Sequence, residues 1–235
     1  MKYFLFVLFI FVSFSVSFGQ TSKSRFNLPP EKANPVVIPK LMTPPVIDGR
    51  LDDEIWKNAA VFTDFYQIQP GDNIPPTNKT IAYVGYDENH LYVGYHAFDE
   101  PDKIRATVAK RDQLFDEDTV RMTLDTFNDQ RRAYVLYFNA LGIQADSILT
   151  DSSQQGADFS VDIVMESKGV ILSDGYSVEV KIPFKSLRFA AGKGKLWGFN
   201  VGRQIPRLND ENNSWMPISR EISSLQQIGK ITGLN

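Results

Sequence analysis

The 235-residue sequence contains no cysteine at all. Disulfides, thiolate metal sites, cysteine nucleophiles and a lipid-bearing N-terminal cysteine are therefore excluded together. Only two histidines are present, so a histidine-rich catalytic zinc site is not on offer. There is no excess of basic charge either: 25 Lys plus Arg stand against 28 Asp plus Glu, a formal charge of -3. A nucleic-acid partner is not expected from that balance. What is there is a folding chain, with 43% hydrophobic and 23% charged residues, unlike a disordered or low-complexity polymer.

The first nineteen residues read as a secretory signal peptide. Lys2 supplies the positive start, Tyr3 to Val16 the apolar run, and Ser13 to Gly19 the small residues before a cleavage point at Gln20. The run is short for a span of about 20 residues and lacks a basic stop-transfer cluster. Export to the periplasm, the outer membrane or the cell surface is the expectation. Residues 20–44 form a leader punctuated by Pro29, Pro30, Pro35, Pro39 and Pro44, extended over a surface with one short edge strand at Val36-Val37-Ile38. Residues 45–235 then read as one domain.

Beyond Pro45 the chain breaks into short strand-like runs bounded by turn signals. Thr80 to Tyr86 and Leu91 to Phe98 flank Asp87-Glu88-Asn89 as a hairpin. Val120, Met122, Leu124 and Thr126 alternate with Arg121, Thr123 and Asp125, the period of a half-buried strand. Ala133 to Asn139, Ile143 to Leu149, Tyr176 to Ile182, Trp197 to Val201 and Ile228 to Leu234 continue the pattern. Helical signals are confined to a turn or two after Asp52, through Ala60, and one more turn, Phe184 to Leu187, after Pro183. About ten strands so spaced mean an all-β, antiparallel β-sandwich or barrel.

No nucleophile elbow, H-E-x-x-H pair, Walker loop or dinucleotide fingerprint occurs, and nothing singles out a glycosidase carboxylate pair. Acidic loops do stand out: Asp99 with Asp102, and Asp112, Asp116 and Asp118. They are either solvated loops or oxygen ligands for a structural Ca²⁺. Trp215 follows Asn212-Asn213-Ser214 in what reads as a polar loop, Leu208 to Ser214. There it either stacks on a flat ligand or lies buried beneath its loop.

Five motifs in order resemble the family 9 carbohydrate-binding modules. They are Val46 to Trp56, the hairpin Ala82 to Gly94, Asp116 to Val120, Gly175 to Val180, and Trp197 to Asn200. Ile182 to Phe189 resembles, more narrowly, the N-terminal domain of the Bacteroidetes family numbered 5916 among domains of unknown function, which precedes an outer-membrane barrel-like region. The resemblance implies a jelly-roll-like sandwich, a non-catalytic accessory role in polysaccharide binding or degradation, and structural Ca²⁺. It also implies a sugar clamped between Phe115 and Trp215, with Asn212, Arg121 and Tyr134 as polar contacts. The two rings would stand partly exposed, about 8–12 Å apart. This chain departs from the binders where Tyr134 replaces a central Arg, Leu136 an Asn and Arg121 a Glu. A docking domain for an outer-membrane β-barrel region, with the sugar cleft vestigial, is the alternative.

Overall fold

The computed structural model describes residues 28–108, 110–114, 116–151, 156–190 and 195–234. The signal segment and Phe115 lie outside them. Thirteen strands follow in chain order: β1 (Val36–Val37), β2 (Ala60–Phe62), β3 (Tyr66–Gln69), β4 (Thr80–Tyr86), β5 (His90–Phe98), β6 (Thr119–Asp125), β7 (Arg132–Asn139), β8 (Gln144–Thr150), β9 (Glu166–Leu172), β10 (Gly175–Pro183), β11 (Trp197–Ile205), β12 (Glu211–Ser214) and β13 (Gly229–Thr232). One sheet runs β1-β13-β11-β6-β7-β8, with β12 attached to β11 and β3 attached to β12; the other runs β2-β4-β5-β10-β9. All pairings are antiparallel except β1 with β13. Among the described residues no helix is long and apolar enough to cross a membrane.

Period-two alternation sorts each strand onto two faces, and the apolar faces meet to form the core. Val120, Met122 and Leu124 of β6, Leu136 and Phe138 of β7, and Phe199 and Val201 of β11 are buried against Val93 and Tyr95 of β5 and Val178 and Val180 of β10. The hairpin turn is fixed by Asp87, whose Oδ1 accepts from the backbone of Asn89 and His90 at 2.7 Å each while Oδ2 accepts from the Tyr92 hydroxyl at 2.6 Å. His90 thus opens β5 at the edge of the turn, and His96 stacks on Phe98 with ring centroids 4.0 Å apart.

The described part of the leader is built into the sandwich. A single helical turn, α1 (Pro30–Ala33), buries Lys32, whose Nζ donates to the carbonyls of Asp64 and Trp215 at 2.5 and 2.6 Å. Burial pushes the Lys32 amine down to about 8, and the ammonium lies 4.5 Å from the Tyr66 ring centroid, a placement that offsets part of its lost hydration. Ile38 and Leu41 are buried beyond it.

The segment resembling the family opening, Val46 to Trp56, is held by one buried carboxylate. Glu179 of β10 accepts from Asp48 N at 3.0 Å, Gly49 N at 2.8 Å and Trp56 Nε1 at 2.8 Å. Gly49 sits at φ +92° with its Cα against Val170 and Gly169, so both the turn and the close approach demand glycine. Burial pushes Glu179 up to about 7, against the pull of its three donors.

One strand departs in kind from the sequence reading. The polar stretch expected as a loop contains β12, Glu-Asn-Asn-Ser, paired on both sides. It lacks β-branched residues because its inward side chains are a polar cluster: Glu211 accepts from Thr77 N at 3.0 Å, Thr77 Oγ1 at 2.5 Å and Asn213 Nδ2 at 2.9 Å.

Candidate functional site

Because β6 turns Val120, Met122 and Leu124 inward, Arg121 and Thr123 face out of the sandwich. Register then places Tyr137 and Val135 of β7 on one side of them and Gly202 and Asn200 of β11 on the other. Ser214 and Asn212 of β12 stand opposite Gly202 and Gln204 and extend the same face. Ile68 of β3 and the segment carrying Ile218, Leu225 and Ile228 enclose this surface as a cleft of about 270 Å³.

Much of the cleft floor is internally satisfied. Asn200 Nδ2 donates to Ser214 Oγ at 2.8 Å, Ser214 Oγ donates to Met216 O at 2.5 Å, and Asn200 Oδ1 accepts from Met216 N at 3.1 Å. These two side chains hold the chain after β12 in place. Two others keep open capacity. Asn212 Oδ1 is buried with no hydrogen-bond partner among the described residues, an arrangement that costs free energy unless a ligand or water meets it. Arg121 has no described carboxylate within 4.0 Å of its guanidinium. Burial lowers the pKa of Arg121, with the neighbouring Tyr137 and Tyr95 hydroxyls acting the other way. Gly202 leaves the floor beside this side chain clear: a Cβ there would come 2.5 Å from Asn213 O, 3.0 Å from Arg121 Nε and 3.2 Å from Cζ.

Arg121 and Asn212, singled out from the sequence, are therefore brought together. Trp215 is not with them. The residue is 5% exposed, and its ring packs edge-on against Phe62 at 4.9 Å between centroids within the core cluster. The expectation of a partly exposed stacking wall is corrected: Trp215 follows an outward Ser214, so its side chain turns inward between the sheets. Tyr134 is corrected as well. It shares the inward parity of Leu136 and Phe138, its hydroxyl accepts from Arg188 N at 3.2 Å, and it lines a separate pocket beside Arg132 and Arg188. Leu136 is fully buried in the core, so neither position faces the Arg121 cleft. Phe115 lies outside the described residues. Sequence reasoning passed over Thr123, Tyr137 and Asn200, although the alternation that places Arg121 outward places Thr123 there too.

The acidic residues divide into three groups. Asp99 and Asp118 are buried with Arg203 and Arg207: Arg203 Nη2 to Asp99 at 2.5 Å, Arg207 Nη2 to Asp99 at 2.5 Å and Arg207 Nη1 to Asp118 at 3.2 Å. Two guanidiniums neutralise two carboxylates, so this pair is corrected from metal ligands to an internal ion cluster. Burial pushes the Asp118 carboxyl up. Asp102 and Asp116 are exposed and join no acidic group that converges on one point among the described residues. Asp112 does converge with Asp146 and Asp162, with ligand oxygens within 4.8 Å of one another. Arg111 shares that site, bonding Asp146 Oδ1 at 2.6 Å through Nη2. Three carboxylates suit a hard cation such as Ca²⁺, although Asp146 Oδ2 is already engaged by Ile163 N at 2.5 Å. Asp146 was hidden by its setting within the strand β8, and Asp162 by its distance in sequence.

Residues 47–217 match the family described as carbohydrate family 9 binding domain-like. No curated protein matches the chain. Among solved structures, a candidate carbohydrate-binding protein from Bacteroides uniformis aligns with TM-score 0.67 and 11% identity, covering 84% of this chain and 98% of that one. A family 9 carbohydrate-binding module from Caldicellulosiruptor kristjanssonii in complex with cellotriose aligns with TM-score 0.56 and 18% identity, over 85% and 93% of the two chains. A family 9 module from the same organism in complex with glucose gives 0.54 and 20%, over 83% and 94%. These likenesses show the fold, and the family match spans most of the sandwich and both strands that carry Arg121 and Asn212: the chain belongs to the carbohydrate family 9 binding domain-like family.

Proposed function

We propose that this chain is an exported, non-catalytic carbohydrate-binding domain, accessory to polysaccharide binding or degradation, whose sugar seat is the cleft of Arg121 and Asn212. One observation carries the reading: Asn212 Oδ1, a buried acceptor with no hydrogen-bond partner among the described residues, shares a cleft on one face of a sheet with Arg121, a cation that pairs with no described carboxylate. Sugar hydroxyls both donate and accept, so they can meet both groups at once. At about 270 Å³ the cleft falls just below the usual range of about 300–1,000 Å³ for small-molecule pockets, which suits a terminal sugar better than a long chain. The signal-like sequence of residues 1–19 supports export. For the structural Ca²⁺ that the family resemblance implies, Asp112, Asp146 and Asp162 are the residues that would hold it.

A glycan array probed with the purified domain tests the reading. Binding to at least one saccharide class is expected, and absence of binding across neutral and acidic glycans contradicts it. A second reading, a docking domain for an outer-membrane barrel region, is favoured by one observation. With Trp215 in the core, Tyr137 is the sole aromatic lining the cleft among the described residues. A blank array together with capture of such a barrel region would support that reading.

A further inference from the structure

We propose that the cleft selects a sugar bearing a carboxylate, a uronate, with Arg121 reading the acid group and Asn212 a neighbouring hydroxyl. The inference rests on the sugar-binding reading and adds the class of sugar.

Arg121 is set apart from the arginines that pair within the fold by lacking an anion among the described residues. Arg203 and Arg207 share Asp99 and Asp118, and Arg111 is paired with Asp146. Each of those guanidiniums has its charge met inside the protein. The described lining of the Arg121 cleft includes no Asp or Glu, and Arg121 is its one charged residue. A cation held in a confined site with no carboxylate beside it among the described residues has lost hydration that the Tyr137 and Tyr95 hydroxyls offset only in part. A ligand carboxylate would return it.

The geometry favours a planar acid. Gly202 leaves room for the guanidinium to lie against β11, with Nε and Cζ 3.0 and 3.2 Å from where a Cβ at that position would stand. A guanidinium presents its donors as a fixed fork, which matches the two oxygens of a carboxylate. Asn212 Oδ1 is an open acceptor in the same cleft. A carboxylate alone cannot use it, because an ionised acid has no proton to donate. A uronate can, since its ring hydroxyls accompany the acid group. The pairing of one unmet cation with one unmet neutral acceptor thus fits an acidic sugar better than a neutral sugar or a simple anion. The chain as a whole carries -3, so long-range attraction does not supply the preference. It must come from this local contact.

The test titrates the domain calorimetrically with D-glucuronate and D-galacturonate, their methyl esters, and D-glucose and D-galactose. The ionised acids should bind about 10- to 100-fold more tightly than the esters and neutral sugars, the worth of a charge-assisted hydrogen-bonded pair. Arg121→Gln should erase that preference, so that acid, ester and neutral sugar bind alike, and Arg121→Lys should restore part of it. The esters keep the test valid even if the variants fold poorly. Equal binding of acid, ester and neutral sugar overturns the inference and leaves the sugar-binding reading standing. No binding of any of them, with a blank glycan array, removes both.

Discussion

Replacing Glu179 separates two opposed effects on one buried carboxylate. Its three donors, Asp48 N, Gly49 N and Trp56 Nε1, favour the ionised form. Burial opposes ionisation and dominates, holding the group up at about 7. An unfolded Glu titrates near ~4.3, so the folded state binds the proton more tightly than the unfolded state does. The stabilisation from this group is therefore full below about pH 4 and is lost as pH rises through about 7, with a size on the order of 3 kcal/mol. Urea unfolding of the wild type and Glu179→Gln at pH 5 and pH 8 measures it. The wild type should lose more stability between the two pH values than the variant, because glutamine does not titrate. Glu179→Ala should cost about 3 kcal/mol or more at pH 5, since three buried donors lose their acceptor. If the wild type instead gains stability toward pH 8 and Gln abolishes that gain, the donors outweigh burial and the account of this clasp is wrong.

Trp215→Ala should act on stability rather than as a selective loss of ligand contact. It empties a core site against Phe62, a loss of about 3–5 kcal/mol, read as a fall in Tm with or without sugar. An unchanged Tm would return Trp215 to the surface. For Ca²⁺, millimolar concentrations should raise Tm and chelator lower it, and Asp162→Asn should weaken the response while Asp102→Asn leaves it intact. A melting curve indifferent to Ca²⁺ assigns the three aspartates to Arg111 alone.

Strands whose two faces differ in polarity were legible in the sequence, and β6 shows why. Its inward residues are apolar and its outward ones polar, so both the core and the direction of Arg121 follow from the same alternation. The strand β12 was not legible, because both of its faces are polar and its stability depends on Thr77, distant in sequence. Trp215 misled for the same reason: with β12 taken as a loop, nothing fixed the inward turn of the next side chain. The ion cluster was invisible for a different cause. Asp99 and Asp118 look like free acid until folding brings Arg203 and Arg207, roughly a hundred residues away, onto them. Asn212 was found through its likeness to a family loop, although its backbone lies in a strand.

The central claim is that sugar binds over the outward face of β6, β7, β11 and β12. Amide and side-chain NMR shifts during titration of the labelled domain with a saccharide it binds test this most directly. The account predicts that the largest saturating shifts fall on Arg121, Thr123, Asn200 and Asn212, with the Tyr134 pocket unaffected. Shifts centred on Tyr134 and Arg188, with none at Arg121, would contradict it.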